Sequence, residues 1–298
     1  MMRRTLFYNR YTKATEEEKV VGRGWLRFAY TTVIGKLGVA LLIKRKIFSI
    51  ILGKLASSSF SKKKIVPFIE KYGIKKDSFE KKIDEFTSFN DFFSRKLKPT
   101  SRPISPKANT ISAPSDGRYL AFENISNLSP FFIKGEQFTV DELIADENKA
   151  AKFASGSMLI SRLCVTDYHR FHFPIACVPD KTFLINGDYL SVHPIAMKGD
   201  VSVFLQNKRM STILHSKACG DILMIEIGST GVGTIQQTFT PEKEVLKGDE
   251  KGYFEFGGST VILIFENGRV RFSEDLLENT SNGLETYVLM GDEVASII

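Results

Sequence analysis

The chain has few cysteines and a polar start. Its three cysteines, Cys164, Cys177 and Cys219, form no Cys-x-x-Cys pair and leave one cysteine over. The sequence therefore predicts neither a disulfide framework nor a zinc knuckle, and a reducing compartment fits best. Residues 1–19 are too polar for the apolar region of a signal peptide, so secretion is not supported.

The sequence also has no long uninterrupted apolar run. Hydrophobic residues make up 43% of the 298 residues, which is ordinary for a globular core and argues against disorder. A membrane-spanning helix needs about 20 apolar residues. The uncharged stretches between Phe28 and Gly53 are shorter, because Lys36 and the basic run 44–46 interrupt them. We therefore predict no transmembrane segment.

Charge is distributed unevenly along the chain. Residues 1–107 contain 25 Lys and Arg against 9 Asp and Glu, a net charge of +16. Residues 108–298 contain 16 Lys and Arg against 25 Asp and Glu, a net charge of −9. A basic segment can bind nucleic acid or anionic lipid. Because Leu, Ile, Val and Phe accompany the lysines, the composition favours binding to lipid, and we expect no binding to nucleic acid.

Apolar residues of segment 25–60 recur at helical spacing beside positive charge. One apolar stripe consists of Ile47, Ile50, Ile51 and Leu55. The positive charge beside it comes from Lys44, Lys46, Lys54 and residues 62–64. Such helices lie in a membrane interface, where each lysine near an anionic surface contributes about 1 kcal/mol. The alternative, that these helices pack on the core of the protein itself, stays open.

A Pro- and Ser-rich linker, residues 98–106, separates two differently patterned parts of the chain. Upstream of it, a helical pattern runs from Ile65 to Lys98. Proline cannot continue a helix, so we place a domain boundary after residue 98. We predict a helical, membrane-associating region 1–98 followed by a β-rich domain 99–298.

Short β-prone runs alternate with Gly, Asn and Asp after the linker. The runs are Arg118–Glu123, Met158–Val165, Thr182–Ile185, Asp221–Ile227, Thr234–Phe239, Thr260–Phe265 and Arg269–Phe272. This spacing predicts an α+β protein whose second domain is a β-sandwich or is barrel-like. Val140–Ala145 and the neighbourhood of Leu276 are the predicted helical exceptions.

Three turn segments of the β-rich domain carry reactive side chains, Asp116 in 113–118, His169 and His172 in 167–172, and Ser229 in 227–231. No cysteine or carboxylate stands at a spacing that would complete a metal site with the two histidines, so we interpret them as acid–base groups. A serine hydrolase is a second interpretation. The sequence lacks the Gly-x-Ser-x-Gly elbow typical of such hydrolases, because residue 227, two before Ser229, is isoleucine.

Taken in order, these segments resemble the signature segments of the phosphatidylserine decarboxylase family. Asp-Gly at 116–117, Tyr-His-Arg-x-His at 168–172 and Gly-Ser-Thr at 228–230 follow the family's order. Four more segments agree in order and spacing, namely 92–97, 133–135, 191–195 and 247–254. The resemblance runs from about Phe89 to the C-terminus. The chain departs from many relatives in having Ser115 in place of Val and His193 in place of Asn.

The resemblance implies a self-processing, pyruvoyl-dependent enzyme. His172 would take the proton of Ser229, with Asp116 orienting and charge-stabilising the imidazole, and Ser229 would attack the carbonyl of Gly228. Cleavage would give a large chain 1–228 and a small chain 229–298. Ser229 would become the pyruvoyl group, a ketone that no natural side chain supplies.

The implied reaction converts phosphatidylserine to phosphatidylethanolamine and carbon dioxide. His169 would be the acid that protonates the substrate carbon, and Tyr168 is the alternative donor and a substrate contact. We expect peripheral attachment to the cytoplasmic face of a cell membrane, no metal, and association of the two chains of one precursor; a homodimer is left open. Two alternatives remain: a pyruvoyl decarboxylase of a soluble amino acid, and a non-catalytic lipid-binding β module.

Overall fold

The computed structural model describes residues 5–39, 41, 46–125, 140–144, 146–197, 202–229 and 234–298. Lys44, the segment 133–135, Ala145 and residues 230–231 lie outside these ranges.

The described residues form sixteen strands and ten α-helices. The strands are β1 (Leu6–Asn9), β2 (Ala14–Glu17), β3 (Thr110–Ser112), β4 (Gly117–Phe122), β5 (Ser157–Leu163), β6 (Arg170–His172), β7 (Val178–Pro179), β8 (Phe183–Ile185), β9 (Arg209–Ser216), β10 (Gly220–Gly228), β11 (Ile235–Gln237), β12 (Glu250–Phe254), β13 (Ser259–Phe265), β14 (Val270–Phe272), β15 (Glu285–Val288) and β16 (Glu293–Ile297). The helices are α1 (Arg23–Thr31), α2 (Val33–Gly38), α3 (Lys46–Ser57), α4 (Ile65–Tyr72), α5 (Phe89–Phe93), α6 (Val140–Ile144), α7 (Glu147–Ala150), α8 (Pro194–Met197), α9 (Ser202–Gln206) and α10 (Glu274–Ser281).

Ten of the strands form one large sheet, in the order β2-β1-β15-β4-β5-β13-β10-β9-β7, with β8 also paired to β9. Two small sheets, β11-β12-β6 and β14-β16-β3, have three strands each. The α+β class predicted from the sequence is confirmed. The barrel-like alternative is wrong for the described strands, because the large sheet ends at β2 on one side and at β7 on the other and does not close.

One face of the large sheet packs against the small sheets. Ile222 and Met224 of β10 belong to the same apolar cluster as Phe171 of β6, Phe272 of β14 and Ala295 of β16. All five side chains are buried. The alternate residues of β10 point the other way, as the two-residue repeat of a strand requires.

The opposite face of the large sheet is covered by short helices. Leu223, Ile225 and Ile227 of β10 pack with Leu143 of α6 and Phe204 of α9. Because both of its faces are covered, β10 is an almost continuous apolar run. It lies between β13 and β9 inside the sheet, so its C-terminal end at Gly228 is held from both sides.

The seven β-prone runs all correspond to described strands, and the two predicted helical exceptions correspond to α6 and α10. The stretch from Ile65 to Lys98 is less helical than predicted. Helix α4 ends at Gly73, whose φ of 70° is a left-handed conformation that glycine adopts without steric cost. The residues after α4 form a buried phenylalanine cluster that packs on Ile65 and Ile69 of α4. Its members are Phe79, Phe86, Phe89, Phe92 and Phe93.

The first strands of the chain were not predicted. Strand β1 pairs in parallel with β15, and β2 pairs with β1, so residues 6–17 extend the large sheet. Each strand has four residues, and the partner of Phe7 in the register is Glu285, far away in sequence. No helix within the described ranges combines the length and apolarity needed to cross a membrane.

A lysine and a glutamate form an ion pair inside the sandwich. Lys251 and Glu226 are both 0% exposed, and Lys251 Nζ lies 2.8 Å from Glu226 Oε1. Gln237 completes the network, because its Oε1 accepts from Lys251 at 2.9 Å and its Nε2 donates to Glu226 at 2.9 Å. The pair therefore connects β10, β11 and β12 through groups whose hydrogen bonds depend on one another.

We expect Lys251→Met to lower the free energy of unfolding by about 3–5 kcal/mol, because it leaves the Glu226 carboxylate buried without its cation. Adding Glu226→Gln should recover part of that loss, since it removes the uncompensated charge. Urea unfolding of the full chain is the measurement. A Lys251→Met protein as stable as the parent would contradict this account.

Candidate active site

Ser229 follows directly on the last residue of β10. Its side chain is buried, and its Oγ donates to the carbonyl oxygen of Gly258 at 2.9 Å. Gly258 precedes β13, which pairs with β10 so that Ser259 stands opposite Gly228. A Cβ at position 258 would lie 2.9 Å from Ser229 Oγ, which is too close, so only glycine at this position leaves room for the Ser229 hydroxyl.

The carbonyl group before Ser229 is also held. Gly228 O accepts a hydrogen bond from Asn207 Nδ2 at 2.8 Å, and Gly228 N–H donates to Lys208 O at 3.0 Å. Asn207 is 0% exposed. Asn207 belongs to none of the sequence motifs, and an asparagine just before a strand is usually only a turn residue.

Asp116 is bound by an arginine of the linker. Arg102 Nε lies 2.7 Å from Asp116 Oδ1, and Arg102 Nη2 lies 2.5 Å from Oδ2, which is a two-point contact. The backbone N–H of Met290 also donates to Oδ1 at 2.9 Å. Asp116 is buried, and both of its carboxyl oxygens accept hydrogen bonds.

His172 lies at the end of β6 as a neutral imidazole with a defined tautomer. Its Nδ1 lies 2.9 Å from Gly248 O, which can only accept, so Nδ1 carries the proton. Nε2 is then free to accept from the hydroxyl of Tyr168 at 3.1 Å. Burial lowers the pKa of His172, although the Gly248 carbonyl and the charges of Glu250 and Asp116 act to raise it.

His169 is fully buried and keeps one nitrogen without a described hydrogen-bond partner. Its ring centroid lies 4.0 Å from that of Phe93, and its Nδ1 donates to Asp167 O at 3.1 Å. Nε2 has no hydrogen bond within the described ranges. Burial lowers the pKa of His169 to about 3, with the carbonyl of Gly257 among the groups that oppose this shift.

The structure brings some of the predicted residues together and leaves others apart. Ser229 and His169 are next to the consecutive residues Gly258 and Gly257, and Tyr168 is bonded to His172. Asp116, His172 and Ser229 are not joined by hydrogen bonds to one another, since each has the separate partners described above. The charge of Asp116 nevertheless acts on the pKa of His172.

Ser229 borders a cavity of about 270 Å³ that also contacts the N-terminal region. Its lining includes Gly257, Gly258, Ser191, Val192 and His193. To the same lining the N-terminal region contributes Trp25, Leu26 and Tyr30 of α1, Leu52 of α3, and Lys19, which precedes α1. The nucleophile candidate and the helices predicted to meet the membrane therefore share one cavity.

Comparison with known proteins identifies the family. Residues 89–296 match the phosphatidylserine decarboxylase family. The chain belongs to this family. A protein of Clostridium kluyveri named phosphatidylserine decarboxylase proenzyme is 47% identical over 288 residues, which cover 97% of both chains. Proteins with the same name from Clostridium perfringens and Chlamydia felis are 46% and 42% identical, covering 97% and 98% of this chain. The resemblance drawn from the motifs is confirmed.

In this decarboxylase-family chain, a charged network that no sequence motif predicts borders the cavity. Arg162 Nη2 binds Glu18 Oε2 at 2.7 Å and Glu285 Oε2 at 2.5 Å, and His193 Nε2 lies 3.1 Å from Glu18 Oε1. Burial acts to raise the pKa of Glu18, but Arg162 and His193 outweigh this effect and hold that pKa well below its ordinary value. Four distant parts of the sequence meet here, and no local motif predicts such a contact.

No cluster of three or more His, Cys, Asp or Glu side chains suited to a metal ion occurs in the described ranges. The candidate functional groups of the site are the buried hydroxyl of Ser229, the neutral imidazoles of His169 and His172, the phenol of Tyr168 and the Asp116 carboxylate paired with Arg102.

Proposed function

We propose that this chain is a proenzyme that cuts itself between Gly228 and Ser229 and then decarboxylates phosphatidylserine to phosphatidylethanolamine. The observation that carries the proposal is the position of Ser229, a buried hydroxyl at the end of a central strand that also borders a cavity shared with the N-terminal helices. The family match and the name proenzyme in its relatives fit a precursor that is processed.

Ser229 is the proposed nucleophile of self-cleavage. Its hydroxyl attacks the carbonyl carbon of Gly228, an intramolecular reaction that gains from proximity. In the precursor the hydroxyl donates to Gly258 O, a carbonyl that cannot remove the proton. A base must therefore take the hydroxyl proton, and we assign this role to the neutral His172. Its Nε2 carries the lone pair of the ring and lies 3.1 Å from the Tyr168 hydroxyl.

Asp116 is proposed to assist His172 by its charge. Arg102 makes a two-point contact with the Asp116 carboxylate, and the charge of Asp116 acts to raise the pKa of His172, which favours the imidazolium. This is a weaker coupling than a direct hydrogen bond. It supports charge stabilisation by Asp116 more than orientation of the ring.

The pyruvoyl group derived from Ser229 would supply the electron sink that decarboxylation of an amino acid carboxylate needs. The residues around position 229 fit such a group. Gly258 leaves room beside it, and the cavity borders it directly. We propose that it is made by the chain itself at residue 229.

His169 is the proposed proton donor for the substrate carbon, with Tyr168 as the alternative. In the precursor, burial keeps the His169 imidazole neutral, with its pKa at about 3. Gly257, which acts on His169, lines the cavity, and an anionic headgroup bound there would favour the protonated form, since a nearby negative charge raises the pKa of a histidine. Lys19 on the cavity wall offers the headgroup a positive charge.

The N-terminal helices are proposed to hold the protein on an anionic membrane at its cytoplasmic face. Ile47 is 71% exposed, Ile51 is 52% exposed and Leu55 is 61% exposed, so the apolar stripe of α3 does not pack on the core. Lys54 of the same helix and residues 62–64 after it are exposed as well. This combination supports interfacial binding over a role in the interior.

The first alternative, a decarboxylase of a soluble amino acid, leaves this exposed apolar surface unexplained. The second, a lipid-binding module without catalysis, predicts that residue 229 stays a serine. The two alternatives are separated from our proposal by the experiments below.

We expect the purified protein to consist of two chains, 1–228 and 229–298, with the small chain blocked to Edman sequencing by a pyruvoyl group. Ser229→Ala should give one intact chain, because the nucleophile is absent. Ser157→Ala is the matched control, since it removes a buried serine hydroxyl without a described partner at the far end of β5 and should be cut normally. Intact mass is the measurement. A free serine at residue 229 would refute the pyruvoyl group.

The two histidines should separate the two reactions. We expect His172→Ala to remain largely uncut, because the base is missing, and Asp116→Asn to be cut slowly. His169→Ala should be cut but lose the release of carbon dioxide, because only turnover needs its proton. Gels for cleavage and carbon dioxide release from phosphatidylserine give the two readouts. Cleavage in His172→Ala together with an uncut His169→Ala would exchange the two assignments.

Replacing Ile47, Ile51 and Leu55 with Ser should abolish the salt-resistant part of binding to anionic vesicles and leave self-cleavage intact. Raising the salt concentration to 1 M shortens the Debye length from about 8 Å to about 3 Å, so parental binding should weaken without vanishing. Flotation with vesicles containing phosphatidylserine and phosphatidylglycerol is the measurement.

The matched control for this experiment replaces three exposed apolar residues elsewhere, Phe183, Leu184 and Leu246, with Ser. This variant should float like the parent. If the α3 variant is folded and also floats like the parent, the membrane contact lies on another surface.

A further inference from the structure

A buried side-chain amide holds the carbonyl group that self-cleavage would attack. Asn207 Nδ2 donates to Gly228 O at 2.8 Å and to Leu190 O at 2.7 Å. Asn207 Oδ1 accepts from Leu190 N–H at 2.8 Å. All three polar contacts of this amide are with backbone groups.

The orientation of this amide is determined by its partners. The Leu190 N–H can only donate, so the atom facing it must be the oxygen, and the two carbonyls can only accept, so the atom facing them must be the nitrogen. Both hydrogens of Nδ2 are used. The backbone N–H of Asn207 donates to Val203 O at 3.0 Å at the end of α9, and the residue is 0% exposed. The donor is thus fixed before any reaction begins.

We propose that Asn207 is a catalytic residue of self-cleavage, donating to the oxyanion that forms on Gly228 when Ser229 attacks. The proposal rests on the self-cleavage proposed above. In the attack, a bond forms between Ser229 Oγ and the Gly228 carbonyl carbon, the hydroxyl proton passes to the base, and the carbonyl electron pair moves onto the Gly228 oxygen. When that pair returns, the bond from the Gly228 carbon to the Ser229 nitrogen breaks, the nitrogen takes up the proton, and an ester remains.

A donor at this position stabilises the transition state more than the ground state. The Gly228 oxygen gains negative charge during the attack, and a hydrogen bond to a charged oxygen is stronger than one to a neutral carbonyl. In the precursor the donor already lies 2.8 Å from the carbonyl oxygen on which the charge would develop, and its burial reduces competition from water. Loss of one such donor typically slows a reaction by about 100- to 1000-fold.

Asn207 also has a structural contact that the test must separate from the catalytic one. By holding Leu190 it supports the segment that continues to Val192 and His193 on the cavity wall. A purely structural role would require only the contact with Leu190. A catalytic role requires a hydrogen-bond donor facing Gly228.

The experiment follows precursor cleavage of the full chain after cell-free synthesis in the parent, Asn207→Leu and Asn207→Asp. Both variants should be cut about 100- to 1000-fold more slowly at neutral pH. Asn207→Asp keeps the shape and the acceptor for Leu190 N–H but presents a carboxylate to Gly228. Acid should protonate that carboxylate and restore a donor, so its cleavage rate relative to the parent should rise as the pH falls.

Thr280→Val is the matched control for lost stability. It removes another buried side chain that hydrogen-bonds to the backbone, Thr280 Oγ1 accepting from Ala121 N–H at 3.0 Å, on α10 away from the cleavage site. It should lower the melting temperature without slowing cleavage. Melting of all variants is compared in the Ser229→Ala background, where no chain is cut.

Three results would overturn the proposal. Both Asn207 variants could be cut at the parental rate. They could be slowed no more than Thr280→Val at the same loss of stability. The relative rate of Asn207→Asp could stay unchanged on acidification, which would leave Asn207 only its contact with Leu190. A parent that itself stays uncut refutes the self-cleavage proposal, and the intact mass of the parent distinguishes that outcome from the other three.

Discussion

The site depends on where strand β10 ends. Its residues are covered on one face by the small sheets and on the other by short helices, and β13 and β9 pair with its two edges. A one-residue shift of its register would turn every side chain to the opposite face and separate Glu226 from Lys251. The peptide group between Gly228 and Ser229 therefore has a fixed position in a buried environment. A reaction inside the chain needs this, because neither reacting group is delivered by diffusion.

Burial also sets the electrostatics of the site. Desolvation lowers the pKa of both His169 and His172, so both imidazoles are neutral and can accept a proton. Asp116 lies in the same environment, where Arg102 pairs with its carboxylate and its charge acts to raise the pKa of His172. The roles proposed for His172 and Asp116 follow from this contrast. A base must begin neutral, whereas a group that stabilises a positive charge must begin ionised.

The N-terminal region connects the buried site with the proposed membrane surface. Its first strands extend the large sheet, its phenylalanine cluster contacts Phe256, and α1 and α3 line the cavity beside Ser229. These helices also carry exposed apolar residues outside the cavity lining, such as Phe28 and Ile51. A two-chain lipid leaves a bilayer reluctantly, since each buried CH₂ contributes about 0.8 kcal/mol. A cavity next to an interfacial helix would let the headgroup reach residue 229 while the acyl chains stay in lipid.

Local pattern was enough to predict the class of the fold, the strands around Ser229 and the family, since alternation of apolar residues and the order of Asp-Gly, Tyr-His-Arg-x-His and Gly-Ser-Thr are properties of short segments. Contacts between distant segments were not predictable in this way. Strand β1 pairs with β15 from the other end of the chain, Arg102 takes the carboxylate of Asp116, and Asn207 reaches Gly228 through its side chain. Each of these contacts depends on the packing of several elements at once. The sequence by itself therefore determined which chemical groups are present and in what order, and only the tertiary structure decided which of them touch, because a hydrogen bond needs its atoms within about 3 Å and separation along the chain does not set that distance.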